Sequence, residues 1–319
     1  MRLAALALLL MLSSCSRYRD FALPPTGATA NVRWEWRARP SPVMTRGDWD
    51  SVDALNPSVI PYQGQLWNYY SGFDGKSWHT GLAKSTDGLV WQREGKVLSA
   101  EGGYIAANGA AMAQGSEVFY YYQTGDTAQI ALARSTDGRN FRREGLVLEL
   151  GPYGSWDERG VADPCIIRQN NRLYLYYTGM DRARRQRLGV AVSDDGVSWS
   201  KLRGNPILEL GEYGTPDAHG LGEPAVWLGY GYYWMLYTGR DPHEKRRLLL
   251  ARSTDGVHWQ KQPLVIAGSE PWDSQVICDP TVIVEPNRVR VWFGGGDVAS
   301  PDQNLHGQIG YGELIPQVL

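Results

Sequence analysis

A turn of the form Ser-x-Asp-Gly-x-x-Trp/Phe recurs four times in this chain, at Ser85 to Trp91, Ser135 to Phe141, Ser193 to Trp199 and Ser253 to Trp259. A repeat at intervals of about 50 to 60 residues restricts a chain to a stacked or closed array of like units. The turn itself has a mechanism. Asp-Gly supplies the positive φ of a tight hairpin, Ser and Asp cap turn amides, and the aromatic ring anchors the outgoing strand. Each turn sits inside a longer unit. The clearest copy runs from Asp163-Pro164-Cys165-Ile166-Ile167 through Leu173 to Gly179 and Leu188 to Ser193, and ends at Trp199. These are four short β-branched and aromatic runs between turn residues, and four antiparallel strands per unit is the blade of a β-propeller.

First-strand signals occur at Asn56-Pro57, Asn108-Gly109, Asp163-Pro164, Glu223-Pro224 and Asp279-Pro280, so five blades are expected. The fifth unit ends without its Asp-Gly turn and aromatic strand. Residues Val32 to Arg37, followed by Pro42-Val43-Met44, resemble that missing strand. An all-β, five-bladed β-propeller follows, with the N-terminal strand closing the last blade and removing an exposed edge. The propeller domain is expected to span residues 32–319, and to act as a monomer.

Residues 1–15 read as a targeting segment and fall outside the fold. Arg2 is the basic region, and the apolar run Leu3 to Leu12 is too short to span a bilayer. Leu12-Ser13-Ser14-Cys15 resembles a bacterial lipobox, in which Cys15 is lipidated. A lipid-anchored protein of the bacterial cell envelope is expected, and Ser16 in place of Asp favours the outer membrane. Residues 16–31 read as a tether. The formal net charge of −2 gives no electrostatic footprint for nucleic acid. Trp (13) and Tyr (18) far outnumber Phe (5), which suits blade packing and sugar stacking equally. The remaining cysteines, Cys165 and Cys278, read as buried free thiols.

The first strand of each blade lines the central channel, so Asn56, Asn108, Asp163, Glu223 and Asp279 should converge on one axis. Their chemistry varies from blade to blade, as a site requires and a purely structural position does not. A second acid lies six residues earlier in four blades, at Asp50, Asp157, Asp217 and Asp273, three times preceded by Trp (Trp49, Trp156, Trp272). This recurrence suits a structural link. At a channel mouth the same residues, with Asn56 and Asn108, are also candidates for holding a sugar.

Asp-Pro opening the inner strand, Tyr-Tyr-Thr-Gly closing the second and Ser-x-Asp-Gly-x-x-Trp between third and fourth together resemble the five-bladed glycoside hydrolases. That superfamily contains families 32, 43, 62, 68, 117 and 130. The resemblance covers residues 32 to 315 and implies carboxylate acid/base chemistry on an oligo- or polysaccharide. In families 32 and 43 the acids stand in blades one, two and three. Here Asn56 and Asn108 occupy the first two, and the acids follow as Asp163, Glu223 and Asp279. Hydrolysis needs a protonated carboxyl and an ionised one, and clustered carboxylates raise one another's pKa. Glu223 is the expected acid, flanked by Asp163 and Asp279 as base or nucleophile and modulator. A glycan-binding propeller without catalysis, accessory to polysaccharide export or uptake, is the alternative. No cofactor is expected. The resemblance offers one metal position, a channel ion such as calcium approached by His306. The arginines at the hairpin tips (Arg182, Arg184, Arg185, Arg187, Arg246, Arg247) read as solvated, with a phosphate site of the family 130 kind as the sharper alternative.

Overall fold

The computed structural model describes residues 17–318. Cys15 and the targeting segment lie outside the described residues. Two short strands come first, β1 (Tyr18–Arg19) and β2 (Val32–Ala38). Blade one follows as β3 (Asp53–Tyr62), β4 (Gln65–Phe73), β5 (Trp78–Ser85) and β6 (Gln92–Leu98). Blade two is β7 (Ile105–Gln114), β8 (Glu117–Thr124), β9 (Gln129–Ser135) and β10 (Arg142–Leu148). Blade three is β11 (Gly160–Gln169), β12 (Arg172–Met180), β13 (Gln186–Ser193) and β14 (Ser200–Leu202). Blade four is β15 (Gly220–Gly229), β16 (Tyr232–Arg240), β17 (Arg246–Ser253) and β18 (Gln260–Ile266). Blade five holds β19 (Val276–Glu285), β20 (Arg288–Gly296) and β21 (Gln308–Val318). Its outer strand is β2, paired antiparallel with β21 from Val32–Val318 to Ala38–Gly312. The five-bladed ring is thus closed by its N-terminal strand, as the sequence indicates. No described helix is long and apolar enough to cross a membrane.

Each Asp-Gly turn is built as its composition requires. In the first, Gly88 has φ +77°, its amide donates to Ser85 Oγ at 2.8 Å, and Asp87 Oδ1 accepts from the amides of Leu89 (2.8 Å) and Val90 (3.0 Å). The turn also joins blades. The glycine carbonyl accepts a hydrogen bond from an aromatic side chain on the second strand of the preceding blade: Tyr69 to Gly138, Tyr121 to Gly196 and Tyr176 to Gly256, each at 2.8 Å. Across the closure, Trp292 Nε1 of blade five donates to Gly88 of blade one at 2.7 Å. Blade five has no such turn to receive a donor from blade four. There the donor position holds Leu236, fully buried. Around these latches apolar clusters fill the spaces between blades, as where Phe119, Tyr121 and Leu132 meet Leu173, Leu175 and Tyr177.

Residues 17–30 do not hang as a tether. β1 pairs parallel with β14, at Tyr18–Lys201 and Arg19–Leu202. Leu23, 3 % exposed, packs in the cluster of Tyr174, Tyr176 and Val257, and its amide donates to Asp255 O at 2.7 Å. The Tyr233 hydroxyl donates to Pro24 O at 2.7 Å. The apolar Phe21 and Leu23 find a seam between blades three and four, which offsets the entropy of laying the segment down.

Two expectations follow. Tyr121→Phe and Tyr176→Phe each remove the donor from the neighbouring blade on a turn carbonyl that keeps only its own blade's Trp199 or Trp259, and should cost about 1 kcal/mol. Leu23→Ala should cost about 2–5 kcal/mol. Urea unfolding with an unchanged m-value reads both. Midpoints equal to the wild type would show that neither the latches nor the seam carries stability.

Candidate active site

The five ring residues share one backbone device. In each inner strand the pairing slips so that two residues oppose one: Asn56-Pro57, Asn108-Gly109, Asp163-Pro164, Glu223-Pro224 and Asp279-Pro280. Such bulges re-aim a side chain. The first residue of every bulge is left-handed, with φ of 48° at Asn56, 49° at Asn108 and Asp163, 55° at Glu223 and 52° at Asp279. Asn and Asp tolerate that region and glutamate does not favour it, so Glu223 is the strained member. Proline suits the second position because no amide is needed there.

The freed amides are held by hydroxyls from the preceding blade. Asn108 N donates to Ser71 Oγ (2.8 Å), Glu223 N to Thr178 Oγ1 (2.9 Å) and Asp279 N to Thr238 Oγ1 (3.2 Å). Thr178 and Thr238 are the threonines of the Tyr-Thr-Gly motif, and this is their task. Sequence reading missed it, although the motif itself was the signal.

All five ring residues line the floor of a mouth cavity of about 700 Å³, and the same five close one end of a narrower channel cavity of about 390 Å³. Only the mouth adds arginines, Gln123, Asp126 and Asp302 to its lining. The loop over it is pinned by the buried Asp53 carboxylate, which accepts from the amides of Asn304 (2.7 Å), Leu305 (3.0 Å) and Gly307 (2.7 Å). Asn56 Nδ2 donates to Asp279 Oδ1 at 2.7 Å, Cys278 Sγ to Asp279 Oδ2 at 3.0 Å, and Asp279 N to Glu223 Oε2 at 3.1 Å. Asn108 is held by Ser71 and, at 3.3 Å, by Gln123.

Charge is divided unequally among the three acids. Burial first, and the Glu223 carboxylate second, push Asp163 up to about 7, against a hydrogen bond from Thr178 and the pull of Arg246 and Arg240. The same two causes hold Asp279 well above the usual carboxylate range. Burial would raise Glu223 as well. The Arg246 guanidinium, hydrogen bonds with Thr238 and Asp279, and Arg240 outweigh it and hold Glu223 below its ordinary value. Glu223 is therefore the member of the ring most favoured to ionise, and proton affinity is higher at the two aspartates. Asp163 and Glu223 keep part of their surface open to the cavity, while Asp279 is nearly enclosed.

The second ring of acids does not reach either cavity. Asp50, Asp157, Asp217 and Asp273 are all buried. Asp50 pairs with Arg93. Asp157 accepts from Lys201 Nζ (2.5 Å) and Tyr177 (3.1 Å), and Asp217 from Lys261 Nζ (2.6 Å) and Tyr237 (3.1 Å). Asp273 caps the turn at Glu270 N (2.8 Å). Each tie runs within one blade, so these acids brace blades rather than hold a sugar. Their tryptophans also face inward: Trp49 lies on Gly72 and Gly81, Trp156 on Gly179 and Gly189, and Trp272 on Gly295 and Gly310, where a Cβ would collide.

Among the described residues, the acidic group at the axis that could hold an ion joins Glu223 and Asp279 to the buried Cys278 sulfur, a donor unlike the oxygen ligands that calcium takes. His306 turns instead to Asp297, at 2.8 Å. Cys165 and Cys278 are both free thiols, Cys278 buried and Cys165 half-buried on the channel wall.

The chain is similar in sequence or fold to known proteins. An uncharacterized protein of Mycobacterium tuberculosis (strain ATCC 25618 / H37Rv) is 31% identical over 160 residues, 46% of this chain and 52% of that protein. A 1,2-beta-oligomannan phosphorylase of Thermoanaerobacter sp. (strain X514) is 27% identical over 121 residues, 35% of this chain and 40% of that enzyme. The chain thus spans about half the length of the mycobacterial protein and less of the phosphorylase. Among solved structures, a beta-1,2-mannobiose phosphorylase from Listeria innocua superposes with a TM-score of 0.69 at 11% identity, covering 88% of this chain and 97% of that one, a likeness of fold. The model of the glycosyl hydrolases family 32 N-terminal domain matches residues 107–270, just over half of the sequence and most of blades two to four. On that match and on the five-bladed architecture, the chain belongs to the family 32 N-terminal domain family, within the five-bladed glycoside hydrolase superfamily.

Proposed function

We propose that this protein cleaves glycosidic bonds of a bacterial envelope or extracellular polysaccharide, from the mouth cavity, as a lipoprotein anchored through Cys15. The observation that carries the reading is the convergence of Asp163, Glu223 and Asp279 on the floor of one cavity, with Arg240 and Arg246 lining it beside them. Asp163 is poised near neutrality beside a Glu223 that stays ionised. Pairs of carboxyls driven apart by their surroundings are what acid/base cleavage requires.

In this reading Asp163 donates its proton to the departing glycosidic oxygen. Glu223, kept ionised by Arg246 and Arg240, serves the opposite face as base or nucleophile. Asp279 is a positioning residue. It touches Glu223 from a site clamped by Asn56 and Cys278. The amide at Asn56 thus supports an acid rather than replacing one, which weakens the case for a merely binding propeller. The lipid anchor rests on Leu12-Ser13-Ser14-Cys15 after the apolar run, and several acyl chains hold a protein at a membrane where one does not.

The pH profile carries the sign of this assignment. Activity needs Asp163 protonated, so turnover should fall as pH rises through about 7. It should fall on the acid side only where Glu223 takes up a proton, below the ordinary carboxylate range. Glu223→Gln and Asp163→Asn should each lower turnover by about 10²–10⁴-fold. A nitrophenyl glycoside of the cleaved sugar needs no protonation to leave, so it should restore Asp163→Asn and not Glu223→Gln. Full activity of Glu223→Gln removes the site assignment. Binding of glycans by the wild type with no cleavage across a broad panel replaces the enzyme with a binding module.

Fractionation tests the anchor. The mature chain should carry lipid on Cys15 and sediment with membranes, and Cys15→Ser should release it or block processing. An unmodified Cys15 in a mature soluble fraction contradicts the anchor.

A further inference from the structure

Arginines outnumber the other charged side chains on the wall of the mouth cavity. Arg159, Arg182, Arg184, Arg240 and Arg246, from blades three and four, all line it. The hairpin tips Arg182 and Arg184 and the first residue of β17, Arg246, are thus gathered at the site rather than scattered in solvent. Arg246 is buried, donates to Ser300 O at 3.1 Å and to Pro301 O, and neutralises Glu223. Arg240 meets Glu244 at 3.3 Å, and Arg182 meets Glu158 at 3.0 Å. Arg159 and Arg184 are exposed and form no ion pair among the described residues. The whole chain carries a net charge of only −2, so this concentration of guanidinium is local. Asp126 and Asp302 are the carboxylates on the cavity wall, and on its floor Asp279 is held well above the usual carboxylate range and Asp163 is raised to about 7.

A second feature adjoins the wall. Tyr153 and Tyr213 occupy equivalent places in two copied loops, Gly151-Pro-Tyr-Gly-Ser-Trp-Asp157 and Gly211-Glu-Tyr-Gly-Thr-Pro-Asp217. They are 85 % and 98 % exposed, in a chain whose other large aromatics are mostly buried. The loops are not slack. Gly151 N donates to Asp157 O at 3.2 Å and Gly211 N to Asp217 O at 3.1 Å, with Gly154 and Gly214 at φ +84° and +89°. Two built loops therefore hold a ring out in water. Tyr153 stands at the rim, because its hydroxyl accepts from Arg182 at 2.8 Å and its ring lies 4.2 Å under that guanidinium. Tyr213, fully exposed, holds the equivalent place in the copied loop one blade on.

We propose that the glycan taken by this mouth is polyanionic, bearing carboxylate or sulfate groups on its sugars, and that it runs from the ring floor along the arginine wall and over Tyr153 and Tyr213. The inference rests on the glycan reading above and names its substrate class. Guanidinium forks recognise carboxylate and sulfate oxygens by paired hydrogen bonds. Tyrosine offers a large flat face to a sugar ring with little rotamer entropy to lose. Two such faces on adjacent blades suit a chain longer than a disaccharide.

The test compares affinities of the full mature chain for oligogalacturonides, for their carboxyl-reduced neutral counterparts, for sulfated galactan oligosaccharides and for inorganic phosphate. An acidic chain, by carboxylate or by sulfate, should bind at least about tenfold more tightly than the neutral one, and added salt should erode the difference. Arg159→Ala with Arg184→Ala should remove that preference and leave the neutral affinity in place. Tyr153→Ala with Tyr213→Ala should weaken long oligosaccharides more than short ones. Equal affinity for acidic and neutral chains overturns the proposal. So does an arginine wall that answers only to inorganic phosphate, with cleavage dependent on that ion. The two readings fail separately. Acidic chains bound but never cleaved leave the inference standing without the enzyme, and cleavage of neutral glycans with no acid preference leaves the enzyme without the inference.

Discussion

The structure depends on a hydrogen bond from one blade to the next. An aromatic donor on the second strand of a blade reaches the glycine carbonyl of the following blade's Ser-x-Asp-Gly turn, and four such bonds join blade five to one, one to two, two to three and three to four. Each bond lies in a dry seam, where an unpaired carbonyl would be costly. The register between blades is thereby fixed, and so is the meeting of inner strands on one axis. The junction without a latch, between blades four and five, has neither the turn nor the donor. Leu236 fills the place with apolar contact, and Trp34 of the closing strand packs edge-on to Trp227 and Trp234.

On this frame the site is a repeated bulge with five different first residues. A left-handed residue followed by proline or glycine turns a strand side chain toward the mouth, and a serine or threonine of the preceding blade holds the freed amide at three of the five positions. The frame is therefore shared while the chemistry is local. The charge pattern comes from elsewhere. Arg240 ends β16 and Arg246 begins β17, so one hairpin of blade four delivers both cations beside Glu223. That hairpin decides which carboxyl keeps its proton.

Much of this was legible in the sequence. The Asp-Gly turns mark the repeat, four residue-Pro pairs and Asn108-Gly109 mark the ring, and Val32 to Arg37 marks the closing strand. The structural role of the second acid ring was legible from its recurrence, but the partners of Asp157 and Asp217 were not, because Lys201 and Lys261 lie 44 residues downstream on the outer strand of the same blade. Nothing local distinguishes a buried lysine from a solvated one. The proton assignment was hidden for a similar reason. Glutamate placed between two aspartates reads as the acid on precedent, and only the arrival of two arginines from a charged hairpin reverses it. Residues 17–30 lack strand periodicity, and their apolar Phe21 and Leu23 fit a seam that exists only once blades three and four are assembled.

The proton assignment is open to direct observation. Carboxyl-carbon NMR of protein labelled at the aspartate and glutamate side-chain carboxyls, followed across pH and assigned with Asp163→Asn and Glu223→Gln, reads each ring group without any substrate. The prediction is one aspartate titrating near pH 7, a second staying protonated beyond the usual range, and Glu223 remaining ionised into acid. A Glu223 that titrates above Asp163, or three groups all titrating as ordinary exposed carboxyls, would contradict the division of charge on which the catalytic reading stands.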